Sequence, residues 1–260
     1  MIKAAFFDID GTLVSLKTKV YPKSAPIAIA GLRKKGIACY VATGRSKFEI
    51  AEEALLEGME FDGYLTNNGQ DSYSPDGELL YGTPVDPEDV RTAYNWAKVN
   101  NIVCWMVSAK ESLMSHVDDV VGGVMDAIHT KLPRVGDLSH MLEEPVYKVV
   151  LFTSREKIED LLPLVPHSRT TQWHELGQDI ISQKGGKKLC MLELLSRLGL
   201  DASEVIAFGD SENDIEMLQA AGIGVAMDNG TAECKAAADY IAPDCDEDGI
   251  LRTLEHFKLL

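Results

Sequence analysis

The sequence predicts an α/β fold in which a parallel-sheet core is interrupted by an inserted α/β module, and three observations support this. The chain opens on a short, nearly continuous apolar run, Ile2 to Ile9, the form of a parallel strand covered on both faces. Helix-patterned and apolar segments then alternate as βαβαβ. The same alternation returns near the C-terminus, after a stretch with a different pattern. A core built this way is Rossmann-like, with its strand ends gathered along one edge of the sheet.

The elements follow in order. A helix-like segment at Ser24 to Lys35 leads into the apolar run IACYVAT at Ile37 to Thr43. A second helical stretch, Lys47 to Leu56, precedes GYLTN at Gly63 to Asn67. The returning half has a helix near Lys188 to Leu198 and the strand VIAFGD at Val205 to Asp210. NDIEMLQAA and GVAM follow, then a short helix near Thr231 to Ala237, the strand-like DYIA, and an amphipathic helix near Asp248 to Phe257. Between the halves, DPEDVRTAYNWAKVN predicts a helix, NIVCWMVS a strand, and SHVDDVVGGVMDAI a helix interrupted by its glycine pair. VYKVVLFT predicts a strand, REKIEDLLPLV a helix, and RTTQWHELGQDIIS two short strands around a turn. Residues 1–82 and 183–260 therefore form the core, and 83–182 the insertion. An insertion is tolerated where its entry and exit lie close together on the parent surface.

Composition narrows the function classes. The chain has 260 residues, 45% of them hydrophobic, with 25 Lys and Arg against 41 Asp and Glu for a net charge of −16. That field disfavours nonspecific attachment to nucleic acid or an anionic membrane, and no basic patch with interleaved aromatics offsets it. A few cations, a metal and convergent N–H groups can still reverse the potential inside one cleft. No leader pattern opens the chain and no apolar stretch is long enough to span a bilayer, so a cytoplasmic protein is expected. The cysteines at 39, 104, 190, 234 and 245 are widely spaced and read as reduced, packed side chains. His116, His129, His140 and His167 are too dispersed to suggest a second metal site, and DCDEDGI reads as a surface loop and helix start with Asp244 as a cap.

The chemistry is concentrated where strands end. In AAFFDIDGTLVS, Asp8 and Asp10 point to the same side of an extended chain, Gly11 permits a sharp turn, and Thr12 offers a hydroxyl and an N–H. Taken alone, D-x-D-G is also compatible with a strand-ending turn or a calcium loop, although the later ligands of a twelve-residue calcium loop are missing. In GDSENDIEM, Asp210 follows a buried-type strand, with Asn213 next and Asp214 at a helix start. Several carboxylates at one sheet edge repel unless protons or a cation offset them, and oxygen ligands suit Mg²⁺, with Asp8 and Asp210 as direct ligands. Thr43 ends the second strand, Gly44 permits close backbone approach, and Lys184, Lys187 or Lys188 of QKGGKK could neutralise a phosphate. Together these groups would let Asp8 attack phosphorus in line, while Asp10 protonates the leaving alkoxide and then deprotonates water.

The order FFDIDGTLV, VATGR, the lysine segment and GDSENDIEML resembles the haloacid dehalogenase-like superfamily of aspartyl phosphatases. The tail VAMDNGTAECKAAADYIA with EDGI, and the long insertion after the threonine motif, resemble its Cof-type sugar-phosphatase-like subfamily with a type IIB cap. The resemblance implies Asp8 as nucleophile and Asp10 as acid/base, with Thr43 and a lysine on the transferring phosphate. It implies Mg²⁺ held by Asp8, the Asp10 carbonyl and Asp210, supported by Asp214, with Asn213 close to the phosphate. The subfamily's spacing selects Lys187, with Lys184 as the fallback; Lys188 stands where the subfamily usually has glycine.

By the same resemblance, Asn68 of TNNGQ is a substrate or phosphate neighbour, or else simply a turn residue, and Trp173 in the cap contacts substrate or packs the cap core. His174 has no acid/base duty once Asp10 fills that role. The implied substrate is a small phosphorylated metabolite, first a hexose or other sugar phosphate, then pyridoxal phosphate or flavin mononucleotide. A phosphosugar mutase or a noncatalytic phosphate-ligand sensor are the alternatives. No heptad seam demands association, so a monomer or weak homodimer is expected.

Overall fold

A computed structural model describes residues 1–128 and 131–260, with the backbone alone at residues 127 and 128, so His129 lies outside the described residues. The chain divides into two compact units, one of Met1–Tyr81 with Gly186–Leu260 and the other of Gly82–Gly185.

The first unit begins with β1 (Ala4–Phe7), α1 (Ser24–Lys34), β2 (Ala38–Ala42), α2 (Lys47–Glu52), β3 (Gly63–Thr66), β4 (Asp71–Tyr73) and β5 (Leu79–Gly82). In the second unit follow α3 (Pro87–Val99), β6 (Cys104–Ser108), β7 (Ser112–Met114), α4 (Asp119–Ile128), β8 (Arg134–Val135), β9 (Val146–Leu151), α5 (Arg155–Ile158), β10 (Ser168–His174) and β11 (Gly177–Ser182). The first unit resumes with α6 (Lys187–Leu198), β12 (Val205–Gly209), α7 (Ile215–Ala220), β13 (Ile223–Met227), α8 (Ala232–Ala237), β14 (Tyr240–Ala242) and α9 (Gly249–His256).

The core sheet has eight strands in the order β14-β13-β12-β1-β2-β3-β4-β5. Alternation along β1 sends Phe7 into one apolar layer with Phe208, Val41 and residues of α1 and α9, and Phe6 into the opposite layer with Tyr40 and residues of α6 and α7. Phe6 stacks on Tyr40 at 5.0 Å and Phe7 on Phe208 at 5.1 Å. Each such side chain contributes about 1.5–3 kcal/mol through burial, so β1 is anchored from both faces and its C-terminal end is fixed in space. β14 to β3 are parallel, but β3 and β4 pair antiparallel, an edge that the sequence reading did not anticipate. The second unit folds round a six-stranded sheet, β10-β11-β9-β6-β7-β8, with α3 over the layer that holds Cys104, Met106, Val149, Leu151 and Ile180.

Two expectations in the second unit give way to packing. Helix α4 runs through Gly122 and Gly123 without interruption, because Val121, Val124 and Met125 sit at helical spacing and are at most 2% exposed. Their burial outweighs the helix penalty of about 1 kcal/mol per glycine. Conversely, REKIEDLLPLV is not one helix: a single turn capped by Ser154 is followed by a 3₁₀ turn at Leu162–Leu164, since Pro163 lacks an N–H and restricts the residue before it. All five cysteines are buried and free, with burial pushing each thiol up to about 12. Among the described residues no helix is long and apolar enough to cross a membrane.

Candidate active site

Strand register builds the site. β1 lies between β2 and β12, parallel to both, with Phe7 opposite Val41 and Phe208. The residues just beyond these strand ends, Asp8, Thr43 and Asp210, therefore emerge along one edge. The Asp8 N–H prolongs the ladder by donating to Phe208 O at 3.0 Å, and Thr43 N–H donates to Leu65 O at 2.9 Å.

Lys187, the first residue of α6, reaches into this edge. Its ammonium lies 2.7 Å from Asp8 Oδ1 and 2.6 Å from Asp214 Oδ1, with its side chain 1% exposed. Lys184 is exposed and belongs to the second unit, and Lys188 is half-buried. Burial alone would lower the Lys187 ammonium, but the two carboxylates outweigh it and hold it above the usual lysine range. The other oxygen of Asp214 accepts the N–H groups of Asp210 (3.0 Å) and Ser211 (3.1 Å). Asp214 thus uses both oxygens to orient Lys187 and the Asp210 backbone.

Asp8, Asp210 and Asp214 each offer an oxygen, and these atoms lie within 4.8 Å of one another. Asp210 Oδ1 is buried and has no hydrogen-bond partner among the described residues. Burial first, then the charges of Asp214 and Asp10 against the opposing Lys187, pushes Asp8 up to about 7. Burial, then Asp8 and Asp214, pushes Asp210 up to about 8. Three carboxylates facing one ammonium leave an uncompensated negative charge that a divalent cation with oxygen ligands would neutralise. The oxygens still available for direct ligation belong to Asp8 and Asp210. Gly11 completes the cradle: at φ +83° it lies so close to the Asp210 carboxylate that a Cβ would collide with it, and only glycine lets the Asp10–Gly11 peptide approach. The donor set fits Mg²⁺.

Asp10 has a different environment. Its side chain is 33% exposed and is held by a fork from Arg45, Nε to Oδ2 at 2.7 Å and a terminal nitrogen to Oδ1 at 2.8 Å. The other arm of Arg45 reaches Glu53 at 2.8 Å. Arg45 was not among the residues singled out from sequence. Its signal was its place two residues beyond Thr43 in VATGR, where its N–H donates to Thr43 Oγ1 at 3.1 Å.

The remaining residues of the core edge interlock. Thr12 is fully buried, its N–H donates to Ile9 O at 3.2 Å, and its hydroxyl has no partner among the described residues. Asn68 Oδ1 accepts from Asn213 Nδ2 at 2.8 Å and lies against Gly44, where a Cβ would approach it to 3.1 Å. Asn213 Oδ1 in turn accepts from Ser211 Oγ at 2.7 Å. The structure thus brings Asp8, Asp10, Thr12, Thr43, Gly44, Asn68, Lys187, Asp210, Asn213 and Asp214 into one unit. Trp173 belongs to the second unit, on β10. There its indole N–H donates to Asp179 at 2.8 Å, its ring packs edge-on against Phe152, and it stays 37% exposed.

The chain matches the haloacid dehalogenase-like hydrolase family over residues 5–254. It is 30% identical to the putative phosphatase YkrA of Bacillus subtilis (strain 168) over 262 residues, 99% of this chain and 98% of that protein. It is 28% identical to the 5-amino-6-(5-phospho-D-ribitylamino)uracil phosphatase YitU of the same organism, covering 97% and 96%. The solved structure of the HAD subclass IIB sugar phosphatase BT4131 superposes with a TM-score of 0.86 at 30% identity, covering 99% of this chain and 100% of the other.

Proposed function

Because this chain belongs to the haloacid dehalogenase-like hydrolases and is a Mg²⁺-dependent phosphomonoesterase working through an aspartyl phosphate, we propose that its substrates are small sugar phosphates, hexose phosphates first among them. In this reading Asp8 is the nucleophile and Asp10 the acid/base. Lys187, Thr43 and Asn213 bind the transferring phosphate, with Thr12, Gly44 and Asn68 lining its site. The inserted unit acts as the cap that selects the leaving group, with Trp173 as its candidate substrate contact. We place the protein in the cytoplasm as a monomer or weak homodimer.

The chemistry follows from the residues. A carboxylate oxygen of Asp8 attacks phosphorus as the bond to the leaving oxygen breaks, and Asp10 gives that oxygen its proton. Asp10, now a carboxylate, takes a proton from water as the water oxygen attacks the aspartyl phosphate, releasing inorganic phosphate and restoring Asp8. Mg²⁺, when bound, supplies the positive charge that offsets repulsion between the Asp8 carboxylate and the phosphoryl oxygens. Arg45 holds both oxygens of Asp10 in its carboxylate form, the form that takes the proton from water. One observation supports this division most: Asp8 is buried against Lys187 while Asp10, two residues away, is forked by Arg45 and open to solvent.

The sugar assignment rests on the likeness to BT4131. The likeness to YitU supports a second reading, a ribityl-bearing aromatic phosphate. The test is inorganic phosphate release with and without Mg²⁺ from hexose phosphates, pentose phosphates, pyridoxal phosphate, flavin mononucleotide and the ribitylaminouracil phosphate, with Asp8→Asn as control. The highest kcat/KM on a hexose phosphate is the expected result. A preference for flavin mononucleotide or the ribitylaminouracil phosphate selects the second reading, and an isomeric phosphate in place of inorganic phosphate identifies a mutase.

A further inference from the structure

Residues Asn67, Asn68 and Gly69 all have left-handed backbones, with φ of 50°, 58° and 73°. Two consecutive non-glycine residues in this region are uncommon, and each costs on the order of 1 kcal/mol, less for asparagine than for most. The turn meets three separate parts of the site. Asn67 N–H donates to Arg45 O and Asn68 N–H to Thr43 O, both at 2.9 Å. Asn68 Oδ1 accepts from Asn213. Gly69 presses on the peptide joining Gly186 to Lys187, so closely that a Cβ would collide with it.

What holds the turn is Asp71, a carboxylate the chemistry above does not use. It is 1% exposed and accepts hydrogen bonds from Thr66 Oγ1, from Asn67 Nδ2 (3.1 and 3.0 Å to its two oxygens) and from the Tyr73 hydroxyl at 2.9 Å. The Lys47 ammonium lies 4.2 Å over the Tyr73 ring. A plain hairpin staple needs only a neutral acceptor, since burying a carboxylate is costly unless charge-assisted bonds repay it. Here the charge holds the side chain of the first left-handed residue from both oxygens at once.

We infer that Asp71 is a positioning residue for phosphoryl transfer, acting through Asn67 and the left-handed turn to fix Thr43, Asn213 and the Lys187 helix start around the phosphate. The inference rests on the phosphate-binding roles proposed for those three residues. Asp71→Asn is the central variant, assayed with Mg²⁺ on p-nitrophenyl phosphate for kcat/KM, for inhibition by inorganic phosphate and for the Mg²⁺ concentration giving half-maximal rate. The expected result is a roughly tenfold fall in kcat/KM with a matching weakening of phosphate inhibition, and an unchanged Mg²⁺ requirement. Asn67→Ala is expected to reproduce the loss and the double variant to add nothing to it. Tyr73→Phe, which removes one bond and leaves the charge, gives a smaller loss in the same direction and keeps the test decisive if Asp71→Asn does not fold. Full activity in Asp71→Asn, additive losses in the double variant, or a raised Mg²⁺ requirement would overturn the inference. If wild-type protein turns over and Asp8→Asn is equally active, it is the proposed site roles that fail, whatever Asp71→Asn does.

Discussion

Asp8 and Asp10 belong to one strand end, yet the fold treats them in opposite ways. Asp8 is buried beside Asp210 and Asp214, with Lys187 as its ion-pair partner; Asp10 is one-third exposed and held through both oxygens by Arg45. The first environment disfavours charge and calls for a cation. The second fixes direction while leaving a path for protons to and from solvent. The covalent and proton-transfer roles proposed for these identical side chains rest on that difference in burial and on which cation meets each of them.

This contrast can be broken at its strongest point first. Asp8→Asn removes the charge of the proposed nucleophile and is expected to lower phosphate release by on the order of a thousandfold or more, with no phosphoenzyme trapped by acid quench. Lys187→Ala leaves Asp8 and Asp214 buried without their ammonium. Breaking a buried pair this way costs about 3–5 kcal/mol, to be read from urea unfolding in the absence of Mg²⁺, and turnover should fall with it. Arg45→Lys keeps the charge but loses the fork on Asp10 and is expected to reduce kcat roughly tenfold with little change in KM. An unaltered kcat would show that Asp10 needs no such aiming.

The mildest test concerns pH. Asp8 and Asp210 are raised to about 7 and 8, above their unfolded values, so the metal-free fold binds protons that the unfolded chain does not. Their contribution to stability is complete below about pH 4 and is lost as pH rises through those raised values. Mg²⁺, which favours the ionised pair, should therefore raise the melting temperature more at pH 8.5 than at pH 5.5. Equal shifts at the two pH values would break the link between buried carboxylates and metal.

The sequence by itself determined the αβ alternation of the core and the strand-end placement of Asp8, Thr43 and Asp210. These follow from local patterns: continuous apolar runs, a glycine where the chain turns, and polar residues immediately after a strand. It also carried the family resemblance, since motif order survives in one dimension. What only the tertiary structure decided depends on partners far apart in the chain. Lys187, which the family spacing selects over Lys184, meets Asp8 across 179 residues, and only the fold buries it there while Lys184 stays exposed. Arg45 finds Asp10 across 35 residues because β1 and β2 are adjacent and parallel, a register that no local pattern encodes. Helix α4 crosses its glycine pair because three neighbours are buried, and β4 returns antiparallel because Asn67 to Gly69 adopt left-handed backbones locked by Asp71. In each case the deciding energy is burial or a charge-assisted bond that exists only once the chain has folded.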